Sequence, residues 1–223
     1  MATAGADRPK RDTYRHGDLR RALVEAGVDL ARHGGPDAVV LRAATRRVGV
    51  APNAAYRHFA DRDALQRAVC AAAQGELARA MEAEFDALAS DVLAADAEPV
   101  AAARARLRAI GVGYLRFART EPGLFRTAFS VPTDLSGSTS PQLAGDTGHP
   151  PFELLSGALD ELTSLGALPP DRRPGAEFIA WSAVHGLAVL LIDGPLRGVT
   201  STEIGDIERR VLDTVEQGLL PPP

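Results

Sequence analysis

The stretch VLRAATRRVGVAPNAAYRHFADRDAL, residues 40–65, leaves the backbone around it little freedom. Leu41, Ala44 and Val48 recur at spacings of three and four, which gives a short helix one apolar face. Arg42, Arg46 and Arg47 fall mostly off that face. Gly49 closes the helix, because a residue without Cβ enters the left-handed turn conformation at little cost. Val50 is an apolar plug in the turn. Pro52 suits the first turn of a new helix, where its missing N–H has no intrahelical bond to lose. Asn53, Tyr56 and Arg57 project from that second helix. Two short helices across a tight turn, with a third starting after them, make a helix-turn-helix.

The second helix of such a motif lies in the DNA major groove. Asn53 suits a base edge, best that of adenine, and Arg57 suits guanine or a phosphate. Arg42, Thr45, Tyr56, His58 and Arg62 suit the sugar-phosphate backbone, which fixes register without reading sequence. Pro52 starts the helix that presents them. Taken singly, each has an ordinary alternative: Tyr56 packing, His58 bridging helices, Arg46 and Arg47 forming a solvated face.

The pattern VGVAPNAAYRHFADRDAL resembles the DNA-binding signature of TetR/AcrR-type transcriptional regulators. Gly49, Val50, Pro52, Tyr56, His58, Phe59, Arg62 and Leu65 carry the resemblance. It extends back through GDLRRALVEAGVDLARHGGPDAVVLR, from Gly17 to Arg42. Two positions depart from the family pattern. Val40 and Ala51 stand where Ser or Thr usually starts each short helix, and neither side chain can supply a cap worth ~1 kcal/mol. The resemblance also implies that the Ala51 site lacks one phosphate contact, and that Tyr14, Arg15 and His16 touch the backbone ahead of the first helix. It implies an all-α chain: an N-terminal three-helix bundle with the helix-turn-helix, and a larger helical domain for ligand binding and dimerisation. The expected division is a flexible arm at 1–14, a DNA-binding unit at 15–70 and a regulatory unit at 71–223.

The formal net charge of −4 looks wrong for a DNA binder until the chain is divided. Residues 8–67 hold 13 Arg/Lys and 7 Asp/Glu, a surplus of +6, while the remainder holds 12 and 22, a balance of −10. A basic head on an acidic body fits a separate nucleic-acid module. Arg8, Lys10 and Arg11 in the arm suit phosphates or the minor groove, or simply a solvated tail.

Helical spacing predicts further helices over 17–33, 61–94, 100–120, 152–166, 175–192 and 202–218, with the long one bent at Gly75. Residues 132–151, dense in Pro, Gly, Ser and Thr, read as a mobile loop. The run Trp181-Ser-Ala-Val-His185-Gly186 resembles the Trp/His-Gly motif of one TetR subgroup. By resemblance, the last two helices form a four-helix dimer interface, with Val184, Leu187, Leu191, Ile207, Val211 and Val215 as candidates. The expected partners are a double-stranded palindromic operator, a second copy of the chain and a small-molecule effector that relieves repression. Tyr114, Phe117, Phe125, Phe129, Phe152, Phe178, Trp181 and His185 are candidates for the effector site, though the same aromatics suit an ordinary core.

Other classes have less behind them. Five histidines and a single cysteine, Cys70, show no metal-ligand spacing. No nucleophile elbow or phosphate loop appears, so neither an enzyme nor a cofactor is expected. The most apolar run, Phe178–Ile192, falls short of the ~18 residues a membrane span needs. A cytoplasmic protein is expected. An architectural DNA-binding protein, or an adaptor for a protein partner, is the rival reading; the large acidic body is more than a purely structural DNA binder requires.

Overall fold

The computed structural model describes residues 18–92, 98–132 and 141–220. The arm, Tyr14, Arg15 and His16, the break at 93–97 and the loop residues 133–140 lie outside the described residues. Among the described residues every regular element is helical.

Helix α1, Asp18–Gly34, buries Leu23, Ala26 and Ala31 along one stripe. Gly35 ends it at φ 65°, a conformation side-chain-bearing residues avoid. Helix α2, Leu41–Val48, and helix α3, Pro52–Ala55, form the helix-turn-helix. Gly49 sits at φ 77° and its N–H returns to the Arg46 carbonyl, so the turn is the one its residue type predicts. Neither Val40 nor Ala51 supplies a side-chain cap. The head holds instead through burial: Leu41, Ala44, Ala55, Phe59, Leu65 and Val69 share one apolar cluster.

Helix α4, Arg62–Val92, starts where the Ala64 N–H donates to the Asp61 carboxylate at 2.7 Å. It runs on through Gly75 as one element, burying Leu65 and Val69 in the head and Leu77 and Met81 in the body. Gly75 serves a close approach. A Cβ there would fall 2.6 Å from the Gln142 carbonyl oxygen.

Helix α5, Pro99–Thr120, is the middle of the body. It packs on α4, on α6 (Pro122–Ala128), on α7 (Pro151–Ser164), on α8 (Ala176–Ile192) and on α9 (Ser201–Leu219). Gly113 lets α5 touch α4 backbone to backbone: a Cβ would lie 2.6 Å from Met81 Cα.

Head and body also meet through a second junction, between α1 and α6. Gly123, at the start of α6, lies against the last turn of α1, where a Cβ would fall 2.3 Å from the Ala31 carbonyl oxygen and 2.5 Å from that of Arg32. Arg32 and Glu121 close the same junction as an ion pair. The far end of α6 is fixed by Arg126, whose guanidinium grips the Asp193 carboxylate at 2.6–3.0 Å. That pairing holds the carboxyl below the usual carboxylate range.

Residues 141–150, within the expected loop, are an irregular segment fastened to α4 after one short helical turn at Pro141–Leu143. They form a strap across α4. The Asp146 and Thr147 N–H groups and the Thr147 hydroxyl all donate to the Glu82 carboxylate, at 2.7, 3.1 and 2.5 Å.

Candidate nucleic-acid interface and internal cavity

Alternation of buried and exposed positions fixes how α3 is presented. Ala55 and Phe59 face inward, so Pro52 and Asn53 are left exposed on α3, while Tyr56 and Arg57, expected on the helix, are exposed in the turn that follows its end at Ala55. Tyr56 is 55% exposed, a large ring with no burial to explain it. Arg42 and Arg46 are exposed beside it on α2. His58 is half-buried. Two candidates are turned to internal work. Thr45 is 1% exposed and its hydroxyl donates to the Arg42 carbonyl at 3.1 Å, so it secures α2 and offers nothing to a phosphate in this arrangement. Arg62 donates from Nε to the Val39 carbonyl at 3.2 Å and lies 3.8 Å from Asp37. It braces the segment before α2 against α4.

A cavity of about 310 Å³ lies inside the body. Of the aromatic candidates, Tyr114, Phe129, Phe152 and Trp181 line it. Phe125 and Phe117 are buried behind, off the wall. Phe178 is displaced outward, more than half exposed, with its ring 5.7 Å from Phe152. His185 is also off the wall but reaches it through Tyr114: its Nδ1 lies 2.7 Å from the phenolic oxygen.

The polarity of this small network follows from its members. Trp181 Nε1–H can only donate, and it reaches the Tyr114 oxygen at 3.1 Å. The phenol can give its own proton to His185 Nδ1 when the imidazole is neutral and protonated on Nε2. Burial pushes the His185 pKa down, in the same sense. Burial pushes the Tyr114 phenol strongly up, so it stays a donor. A histidine with a lowered folded-state pKa stabilises the fold fully above its unfolded value and loses that contribution as pH falls through the lowered one. The thermal midpoint should therefore fall on acidification from about pH 7 to pH 5. His185→Gln, which keeps an acceptor but cannot titrate, should flatten that part of the profile. An unchanged slope in the variant would remove His185 as its source.

Several wall residues had no signal in the sequence. Gln74 and Met81 come from α4, and Arg108, Leu212 and Glu216 from α5 and α9. Leu143 and Pro150 come from the strap. The one usable clue was charge: α5 carries Arg104 and Arg108 four apart, and α9 carries Asp213 and Glu216 three apart, with opposite sign.

The dimer candidates divide by burial. Val184, Leu187 and Leu191 are buried in the subunit's own core, Val184 at 8% exposure. In this conformation they are not available to a partner. The uncovered apolar residues of α8 are Phe178, Ile179, Val189 and Leu190, with Ile179 at 59%. Ile207, Val211 and Val215 on α9 are half-buried against the core.

Comparison with known proteins identifies the family and the fold. Residues 23–69 match the family described as bacterial regulatory proteins, tetR family. Residues 107–215 match the tetracyclin repressor-like C-terminal domain. The chain belongs to the TetR family. No curated protein matches this TetR-family chain. A solved protein of unknown function from Rhodococcus sp. RHA1 is similar at 26% identity and a TM-score of 0.65, over 94% of this chain and all of that one. A protein from Shewanella sp. PV-4 assigned to the tetR family of transcription regulators aligns at 15% identity and a TM-score of 0.57, over 92% and 99% of the two chains. One from Mesorhizobium loti with the same assignment aligns at 15% and 0.51, over 92% and 96%. At 15% identity the last two show a shared fold alone. The fold and family are those of transcription regulators. No helix among the described residues is long and apolar enough to cross a membrane.

Proposed function

We propose that this TetR-family protein is a homodimeric repressor that binds a palindromic operator through α3 and releases it when a small molecule enters the body cavity. The observation that carries the DNA half is the edge of α3 and the turn after it: Asn53 on the helix and Tyr56 and Arg57 just past its end all face solvent, over buried Ala55 and Phe59. In a dimer the two edges would lie ~34–36 Å apart, or a multiple of that, one turn of duplex DNA. The uncovered α8 face, Ile179, Val189 and Leu190, is the surface that best supplies the twofold contact, with α9 beside it. Such a regulator works in the cytoplasm.

The release half rests on α4. That helix leaves the head at Arg62 and lines the cavity with Gln74 and Met81. The functional boundary near residue 70 is thus a point along a continuous helix, and effector occupancy can bias how the heads are held. An effector shifts that equilibrium only by its difference in affinity for the two dimer states. A purely architectural DNA binder has no use for this cavity.

Footprinting on DNA flanking the protein's own gene, with and without candidate compounds, tests the proposal. A protected palindrome that is lost on effector addition is expected; no protection of any duplex would overturn the reading. Tyr56→Ala should weaken binding to all sequences alike, by about tenfold or more for a lost bond to a charged phosphate. Titrations against cognate and scrambled duplexes check this, and a loss confined to the cognate site would assign Tyr56 to base readout. Affinity should also fall steeply with added salt.

A further inference from the structure

The charged groups that α5 and α9 bring to the cavity wall are already matched to one another. Arg108 lies 2.6 Å from Asp213 and 3.9 Å from Glu216, and Arg104 lies 3.1 Å from Glu216. Two cations and two anions thus close a quartet between α5 and α9. Glu153 sits at the exposed rim, 3.2 Å from His149, which offsets its charge only when the imidazole is protonated. The wall's phenol is engaged on both sides, by Trp181 and by His185. The Gln74 amide donates to the Ala128 carbonyl at 2.8 Å.

What remains for a ligand is apolar and ring-lined. Phe129 and Trp181 have centroids 6.1 Å apart, and Trp181 and Phe152 6.0 Å apart, so three rings run in series along one side. Leu107, Ile110 and Leu212 supply aliphatic surface. A charged ligand seated inside would leave water and find no uncommitted counter-charge short of the solvent-exposed rim carboxylate of Glu153, unless it broke the quartet. A flat, neutral ligand loses little water-bonding and can meet one ring face-on and the next edge-on, since Phe129 and Phe152 are inclined to Trp181 by 44° and 67°.

We infer that the effector of this protein is an uncharged, planar, predominantly apolar molecule of about three fused rings, carrying at most a neutral polar group, given a cavity at the small end of the usual range. This inference rests on the reading that the cavity is the effector site, and the experiment separates the two.

Trp181 is the only tryptophan in the chain and lines the cavity, so its fluorescence reports occupancy. The full-length protein is titrated with anthracenemethanol, anthracenecarboxylate and anthracenemethylamine, with calorimetry alongside. The neutral alcohol should quench Trp181, and the two ions should bind about a hundredfold more weakly because each must be desolvated without a partner. Val215→Phe, which adds bulk at a half-buried wall position, should weaken the alcohol about tenfold or more. An ion that binds as tightly as the alcohol overturns the ligand class and leaves the cavity as the site. Alcohol binding that survives Val215→Phe unchanged, in a variant that still melts cooperatively, places the probe elsewhere and overturns the inference. No heat and no quenching from any of the three overturns both the class and the effector reading.

Discussion

The double substitution Asn53→Ala, Arg57→Ala is expected to erase most of the preference for the cognate operator over random duplex. A good side-chain pair to a base edge discriminates by ~1–3 kcal/mol, so the two together are worth about 4 kcal/mol, roughly a thousandfold. Non-specific binding should survive, because Arg42 and Arg46 remain exposed on α2. Stability should barely change, since both side chains face solvent and neither makes a hydrogen bond among the described residues. Competition binding with cognate and scrambled duplexes measures the ratio, and thermal melting supplies the control. A variant that keeps its selectivity would take base readout away from this edge of α3. A variant that melts much earlier would mean that these side chains support the head.

The largest effect on stability is expected at Phe125. Its ring is 2% exposed and meets Tyr114 edge-on at 5.4 Å, Phe129 at 5.1 Å and His185 at 5.5 Å. Phe125→Ala removes a fully buried ring and leaves a void that α6, pinned at Gly123 and Arg126, cannot easily close. Such truncations cost about 3–5 kcal/mol. In a chain of this size each kcal/mol lowers the melting midpoint by about 2–4 °C, so a fall of roughly 10 °C is expected. Phe178→Ala is the paired control: its ring is mostly exposed and should cost well under half as much. Equal losses from both would show that the packing around Phe125 is not what holds the body together. The same void should loosen Phe129 and Tyr114, so probe affinity for the cavity should fall with stability.

The head was legible in the sequence because local chemistry determines it. Gly49 must take a left-handed turn, Pro52 must open a helix, and the spacing of Leu41, Ala44 and Val48 points the apolar face inward. Tertiary choices were less visible. Thr45 reads as a polar residue near a DNA-facing helix, yet its neighbours bury it and its hydroxyl turns back on its own turn. Helix α8 is apolar nearly all round, so periodicity could not say which side faces the core. Val184, Leu187 and Leu191 proved internal, and Ile179, Val189 and Leu190 external. Ring-bearing residues gave the region of the cavity but not its wall, because the depth of Phe125 or Phe178 depends on how α6 and α8 tilt. The strap composition predicts a loop, and nothing local shows that Glu82, more than sixty residues earlier, fastens it.

Gly123 bears on how such proteins could exchange specificities. It brings α6 onto the carbonyls of Ala31 and Arg32 with no space for even a methyl group, so the recognition module meets its platform at a second seam besides the continuity of α4. A chimera spliced within α4 would set a foreign α1 against a native α6, and any difference there would cant the transplanted module. Swapping operator choice between relatives therefore means moving both seams as a matched set.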